Sequence, residues 1–261
     1  MKQITSRDNA LFKELKHLAT NANARRKSGK TLLDGAHLCQ AYLQHRGGPE
    51  LCIVSESSLQ NSEVQQIIAE CEKQNAKVVA LPDSLYQAIS QVDNGVGLVF
   101  VANAPSATIA GPLALDAVLL DGLQDPGNLG SILRSAAAAG IKQVYCGEGT
   151  ASAWSPKVLR AGMGAHFLLE IFESVDLQTL IKESSIPVFA TSSHTTTNIY
   201  QANLTQPLAW LFGHEGQGVS QNLMALAHAV VTIPQRAEIE SLNVAASGAI
   251  CFFEQVRQRL K

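Results

Sequence analysis

Short apolar runs alternate with amphipathic stretches along almost the whole chain. In the first hundred residues, Leu11, Leu15 and Leu18 recur at helical spacing with Lys and His between them, which predicts a helix over 10–20. Asn21 to Ser28 is polar and basic and reads as a loop. A strand over 31–34 closes on Gly35, and a helix over 36–46 is broken by Gly47-Gly48-Pro49. Further strands are expected at 51–55, 77–81 and 97–102, with helices at 63–74 and 84–90. Strands alternating with helices predict an α/β unit with a mainly parallel sheet.

The pattern then lapses. Asn103 to Pro112 holds small residues and two prolines without periodicity, and is the best linker candidate. A second α/β run follows, with strands near 117–121, 142–146, 167–172, 186–191, 208–212 and 229–233. Its helices fall near 128–139, 155–161, 176–184, 219–226 and 241–258. Three stretches of this half share one order: an apolar strand, a glycine-rich or polar loop, then a helix. The first runs from Leu119 through Asp125-Pro126-Gly127-Asn128 to Gly140. The second is Leu208 to Phe212, then Gly213-His214-Glu215-Gly216-Gln217-Gly218. The third is Val230 to Pro234, a polar loop, then Ser241-Leu242-Asn243. In an open α/β sheet, loops at the carboxyl ends of strands form the ligand crevice.

Composition bounds the class. At 261 residues, 46% hydrophobic and 16% charged, the chain is globular and well cored, with room for one large or two modest domains. Five scattered cysteines without a CxxC pair suggest neither a disulfide framework nor a zinc site, and a reducing cytoplasm is expected. The start MKQITSRDNA has no apolar core for secretion, and no run reaches membrane-spanning length, so no membrane partner is expected. The net charge of −2 argues weakly against nucleic acid. Its distribution argues the other way: residues 1–30 carry eight Lys/Arg against two Asp/Glu, and Arg25, Arg26 and Lys27 are adjacent. Such a basic arm is a candidate RNA-facing patch, or else a solvated basic surface.

Several chemistries are disfavoured. The glycines at 213, 216 and 218 follow G-x-x-G-x-G rather than the dinucleotide pattern, and a phosphate-loop lysine is missing. There is no H-E-x-x-H and no G-x-S-x-G, and the seven histidines do not cluster, so no metal is expected. What remains is a set of polar residues placed in loops and at helix ends: Asn128, Arg134, Glu215, Ser241 and Asn243. Each also has a plainer reading. Arg134 suits a surface arginine on an amphipathic helix, Glu215 a surface turn, and Ser241 or Asn243 a helix N-cap.

In this order the three stretches resemble the motifs of the SpoU/TrmH group of the SPOUT methyltransferases. They read Asn128-x-Gly130-x-x-x-Arg134, then Gly213-x-Glu215-Gly216-x-Gly218, then Ile233-Pro234 followed by Ser241-Leu242-Asn243-Val244. The first half resembles, more loosely, the RNA substrate-binding domain that precedes the catalytic domain in many members. That likeness rests on the basic start, the order of elements and Leu33-Asp34-Gly35, with Asp34 where Glu is common. The resemblance implies an α/β protein: a small α/β substrate-binding domain over 1–104 and an α/β trefoil-knot (SPOUT) domain over 113–261. It implies S-adenosylmethionine, held mainly by backbone groups at Thr191, Gly213, Ile233 and Leu242 with Leu211 nearby. It also implies a homodimer formed through the catalytic domain, and methyl transfer to a ribose 2′-hydroxyl in RNA, ribosomal ahead of transfer RNA.

Arg134, Asn128, Glu215, Ser241 and Asn243 match the family's catalytic positions. Because a guanidinium hardly gives up its proton, Arg134 reads as a holder of phosphate or a stabiliser of the developing alkoxide. Asn128 and Glu215 are expected to orient it, and Ser241 and Asn243 to shape the loop between cofactor and ribose. The segment Gln235 to Glu240 departs from the pattern, being more charged than in many members. A non-catalytic RNA-binding or ribosome-assembly factor is the competing reading. Retention of Arg134 and Asn243 favours the enzyme.

Overall fold

A computed structural model describes residues 1–92, 95–104, 112–236 and 238–260. The chain forms two compact units. One comprises Met1–Pro105 and Trp154–Phe167, the other Ser106–Ala153 and Leu168–Lys261. Most of the expected linker, residues 105–111, lies outside the described residues.

The first unit runs β1 (Lys2–Gln3), α1 (Ala10–Thr20), α2 (Ala22–Ser28), β2 (Lys30–Asp34), α3 (Ala36–Arg46), β3 (Leu51–Ser55), α4 (Ser62–Lys73), β4 (Lys77–Leu81), α5 (Asp83–Tyr86) and β5 (Leu98–Asn103). Its sheet has the order β1-β4-β3-β5-β2 and is mixed rather than mainly parallel, because β5 runs antiparallel to both β3 and β2. Among the described residues between β4 and β5 the helix is the four-residue α5, and the chain re-enters the sheet at the end it left. Of the apolar positions read from the pattern, Leu15 and Leu18 of α1 are buried against Ile53, Val79 and Val99 from the sheet, Leu11 is half-buried at the edge, and Phe12 fills the core beside them.

Asn21–Ser28, read as a loop, is a helix. Asn21 caps its start by accepting from the Ala24 N–H, and Gly29 ends it at φ +65°. The polar composition hid a helix that has no buried residue and is held by its caps. The basic start is thus folded, and its three cations separate. Arg25 donates to the Leu18 carbonyl at 2.7 Å and closes the end of α1, whereas Arg26 and Lys27 are exposed. The segment containing α7 (Pro156–Gly162) also belongs to this unit. Thr31 Oγ1 donates to the Trp154 carbonyl at 2.9 Å, and Phe167 meets Tyr42 edge to face.

The second unit contains β6 (Ala117–Leu120), α6 (Pro126–Ala138), β7 (Gln143–Gly147), β8 (Glu170–Val175), α8 (Leu177–Lys182), β9 (Val188–Thr191), β10 (Ala209–Phe212), α9 (Gln221–Met224), β11 (Ala229–Val231) and α10 (Val244–Arg259). The strand expected at 167–172 begins three residues later, since Ala165–Phe167 form a single 3-10 turn. All six strands are parallel, in the order β11-β9-β10-β6-β7-β8. The order reverses at β6: β7 and β8 build outward on one side, β10, β9 and β11 on the other. Near-continuous apolar strands such as Ala117–Leu120 and Ala209–Phe212 are what a sheet covered on both faces demands. All five cysteines are free and buried, and no helix among the described residues is long and apolar enough to cross a membrane.

Behind the sheet, a buried polar relay fixes α10. Trp210 Nε1 donates to Gln255 Oε1 at 2.7 Å, and Gln255 Nε2 donates to Asp116 Oδ1 at 2.9 Å. Asp116 also accepts from the Leu208 N–H at 3.0 Å and pairs with Arg259. Gln255 is 2% exposed and Trp210 fully buried. Gln255→Leu keeps the volume and orphans the indole N–H, which costs about 1–3 kcal/mol. Urea unfolding should show the midpoint falling with an unchanged slope.

Candidate active site

An open pocket of about 850 Å³ lies at the carboxyl ends of β11, β9 and β10, with walls drawn from the loops that follow them. Asn128, Glu215, Ser241 and Asn243 line it, and so do Thr191, Gly213, Ile233 and Leu242. Two expected residues are elsewhere. Leu211 is fully buried within β10 and packs in the core. Arg134 is exposed on α6, off the pocket lining, with no hydrogen bond or ion pair among the described residues. It follows Asn128 by six positions, a spacing that does not share a helix face.

The glycine loop owes its shape to close backbone approach. His214 and Gly218 exchange N–H···O bonds of 3.0 and 2.8 Å, and Gly218 sits at φ +70°. A Cβ on Gly213 would lie 2.0 Å from the Gly218 carbonyl carbon, so only glycine fits there. The narrow turn exposes backbone groups to the pocket.

Glu215 does not reach Arg134. Its carboxylate is turned to the β6–α6 loop, accepting from the Asp125 N–H at 2.9 Å, the Gln124 N–H at 3.2 Å and Asn128 Nδ2 at 3.2 Å. Asp125 is the N-cap of α6 and accepts from the Asn128 N–H at 2.7 Å, with Pro126 in the first turn. The helix therefore starts two residues before the expected Asn128, which lies in its first turn. Asn128 Oδ1 then accepts from Asn243 Nδ2 at 2.9 Å, while Asn243 Oδ1 caps α10 through the Ala245 and Ala246 N–H groups. Helix capping and site building are thus one arrangement at Asn243. Ser241 lies ahead of the helix, in the loop.

Two contributors escaped the sequence reading. Asp121, at the end of β6, accepts from the Ser220 N–H at 2.8 Å and holds the far end of the glycine loop. The residues after β9, Ser192 to His194, also line the pocket. The signal for them was present: Thr191 ends an apolar strand and a polar run follows, the same order that marked the other three loops.

Burial alone would raise the Glu215 pKa, but the N–H donors of Asp125, Asn128 and Gln124 outweigh it and hold the carboxyl below its usual range. A carboxylate lowered on folding stabilises above its unfolded pKa, and that contribution is lost as pH falls through the folded value. Melting temperature should therefore decline with acidification across that window, and Glu215→Gln should flatten that part of the profile.

The family described as "SpoU rRNA Methylase family" matches residues 117–253. A tRNA/rRNA methyltransferase of Synechocystis, itself uncharacterized, is 30% identical over 98% of this chain and 94% of its own length. The 23S rRNA (guanosine(2553)-2′-O)-methyltransferase RlmP of Bacillus subtilis is 29% identical over 97% and 98%. Among solved structures, an RNA 2′-O ribose methyltransferase superposes with a TM-score of 0.83 at 31% identity, covering 99% of this chain and all of that one. An rRNA methyltransferase from Sinorhizobium meliloti gives 0.85 at 25% identity, over 100% and 99%. With the family match spanning more than half of the residues and covering the strands and loops that carry the pocket, this chain belongs to the SpoU rRNA methylase family.

Proposed function

We propose that this protein is an S-adenosylmethionine-dependent RNA methyltransferase that modifies a ribose 2′-hydroxyl of ribosomal RNA. The observation that carries the reading is the convergence of Asn128, Glu215, Ser241 and Asn243 with the glycine loop around one pocket. Its volume, about 850 Å³, falls within the range of small-molecule sites. The donor set suits a nucleoside-sized cofactor: backbone of Gly213, Ile233 and Leu242, the Thr191 end of β9, and, among the described residues, no lysine or arginine that would select a triphosphate.

When bound, the cofactor supplies a methyl group on a positively charged sulfur, with which the ribose oxygen must be aligned. The hydroxyl proton has to leave as the O–C bond forms and the S–C bond breaks. Glu215 is poorly placed to take it, since both its oxygens already accept N–H donors; it serves as a strut for the turn. Ser241 and Asn243 lie on the pocket wall, where they position the ribose. Arg134, exposed off the pocket lining and uncommitted to any group among the described residues, is available to hold the phosphate adjacent to that ribose.

The family resemblance extends the reading to a homodimer through the second unit, a trefoil knot around the β9–α10 region, and a cytoplasmic location. The exposed Phe253 on α10, at 48%, supports a partner for that helix. The names of the relatives favour ribosomal over transfer RNA as substrate.

The decisive experiment is transfer of labelled methyl from S-adenosylmethionine to total RNA lacking modifications, followed by alkaline hydrolysis. Label in alkali-resistant dinucleotides is expected; label in single nucleotides moves the methyl to a base. No label and no cofactor binding would return the case to a non-catalytic RNA-binding protein. Arg134→Lys should retain cofactor binding by calorimetry and lose about 10²-fold in transfer rate. Full activity there would sink the assigned role. Replacing Arg26 and Lys27 with Ala should weaken RNA binding and reduce its logarithmic salt slope by about 1.5. Arg25→Ala should instead lower stability, because it caps α1.

A further inference from the structure

The first unit has a pocket of its own, of about 460 Å³, at the carboxyl ends of the parallel strands β3 and β4. Ser55, Ser57 and Ser58 line it after β3, and Asp83, Tyr86 and Gln87 after β4. This is the end of an α/β sheet where ligand crevices form. Among the described residues the lining holds one carboxylate and no lysine, arginine or histidine. A phosphate or carboxylate ligand is repelled there, and a neutral ligand that presents N–H donors is favoured.

The polar groups are already organised. Asp83 Oδ1 accepts from the Ser57 N–H at 3.1 Å and from Ser57 Oγ at 2.9 Å, which fixes the carboxylate and leaves Oδ2 open among the described residues. Ser55, 4% exposed, shares a 2.6 Å hydrogen bond with Ser58. A Cβ on Gly97 would lie 2.0 Å from Ser58 Oγ and 2.3 Å from Ser55 Oγ, so this pair packs directly on backbone. The Tyr86 hydroxyl, in a residue 6% exposed, lies near Ser90 and Asp34 but closes a hydrogen bond with neither.

We propose that this pocket takes an unpaired guanine base of the RNA, with Asp83 Oδ2 accepting from the adjacent N1–H and 2-amino groups; this rests on the reading of the chain as an RNA methyltransferase. RNA is read in sequence mainly through unpaired bases, by hydrogen bonds to their Watson–Crick edges. Guanine presents two neighbouring donors on that edge. Adenine and cytosine place a bare ring nitrogen beside their amino group, which a carboxylate repels. Uracil flanks its one N–H with two carbonyls. The hydroxyl donors of the serines and the Gln87 amide suit the guanine O6.

The test is equilibrium binding of the full-length protein to labelled short oligouridines carrying one central guanosine, adenosine, cytidine or inosine. Guanosine should bind about tenfold tighter than adenosine or cytidine, and inosine, lacking the 2-amino group, should lose part of that gain. Asp83→Asn, which can still accept from Ser57, should level the probes. The substitution also removes a negative charge, so the readout is the ratio between probes rather than either affinity. Four probes bound alike by the unaltered protein, or a guanosine preference that survives Asp83→Asn, would overturn the proposal. A second arm needs no variant: a 6-thioguanosine probe should photo-crosslink to the peptides containing Ser55–Ser58 or Asp83–Ser90, and crosslinks confined to other peptides would overturn it. Methyl transfer measured alongside keeps the two readings apart. Intact transfer with no Asp83-dependent preference removes only the base pocket, and absent transfer removes only the enzymatic reading.

Discussion

The carboxylate of Glu215 is the joint on which the second unit's site depends. The loops around the pocket have no ladder of hydrogen bonds to hold them, so each backbone donor must find a partner elsewhere. Glu215 supplies acceptors for two consecutive N–H groups of the turn before α6 and for the Asn128 amide. Asn128 passes the connection on to Asn243, which caps α10 with its other end. Asp121 reciprocates, reaching from the β6 loop to the Ser220 N–H. Carboxylates thus cross between the two loops in both directions, and three segments far apart in sequence behave as one wall.

That wall stands where the topology makes room for it. Six parallel strands deliver all their carboxyl ends to one edge, and the reversal of strand order at β6 lets the following loops part there. The apolar strands and the relay from Trp210 through Gln255 to Asp116 hold the opposite side rigid. Loops can then be short and still be precise. Gly213 and Gly218 complete the design by letting the turn fold on its own backbone.

The first unit uses the same end of a sheet for different chemistry. Where the second unit offers glycine and backbone, the first offers serine hydroxyls and one fixed carboxylate. Arg26 and Lys27 lie apart from that pocket: they sit on α2, ahead of β2, whereas the pocket opens at the other end of the strands. Phosphate attraction and base reading are separate tasks for RNA-binding proteins, and the cations of α2 and the serine-lined pocket are separate surfaces.

The amino-acid sequence by itself determined the order of the elements apart from β1 and α2, the three strand–loop–helix stretches and the motif residues of the pocket. Those features are local: apolar periodicity, capping types and glycines at turns act over a few residues, and Asn128, Gly213, Glu215 and Asn243 each stand at such a junction. The helix at Ala22–Ser28 was missed because its stability comes from two caps rather than from an apolar stripe. Only the tertiary structure decided partners. Glu215 and Arg134 share the motifs, but the carboxylate turns to the N–H groups of residues 124 and 125. Leu211 belongs to a motif strand, but the sheet buries it. Asp121 and Asp83 look like ordinary loop acids until strand order brings Ser220 to one and Ser57 to the other. A carboxylate is satisfied by whichever donors the packed sheet brings within about 3 Å, and sequence spacing does not encode that distance.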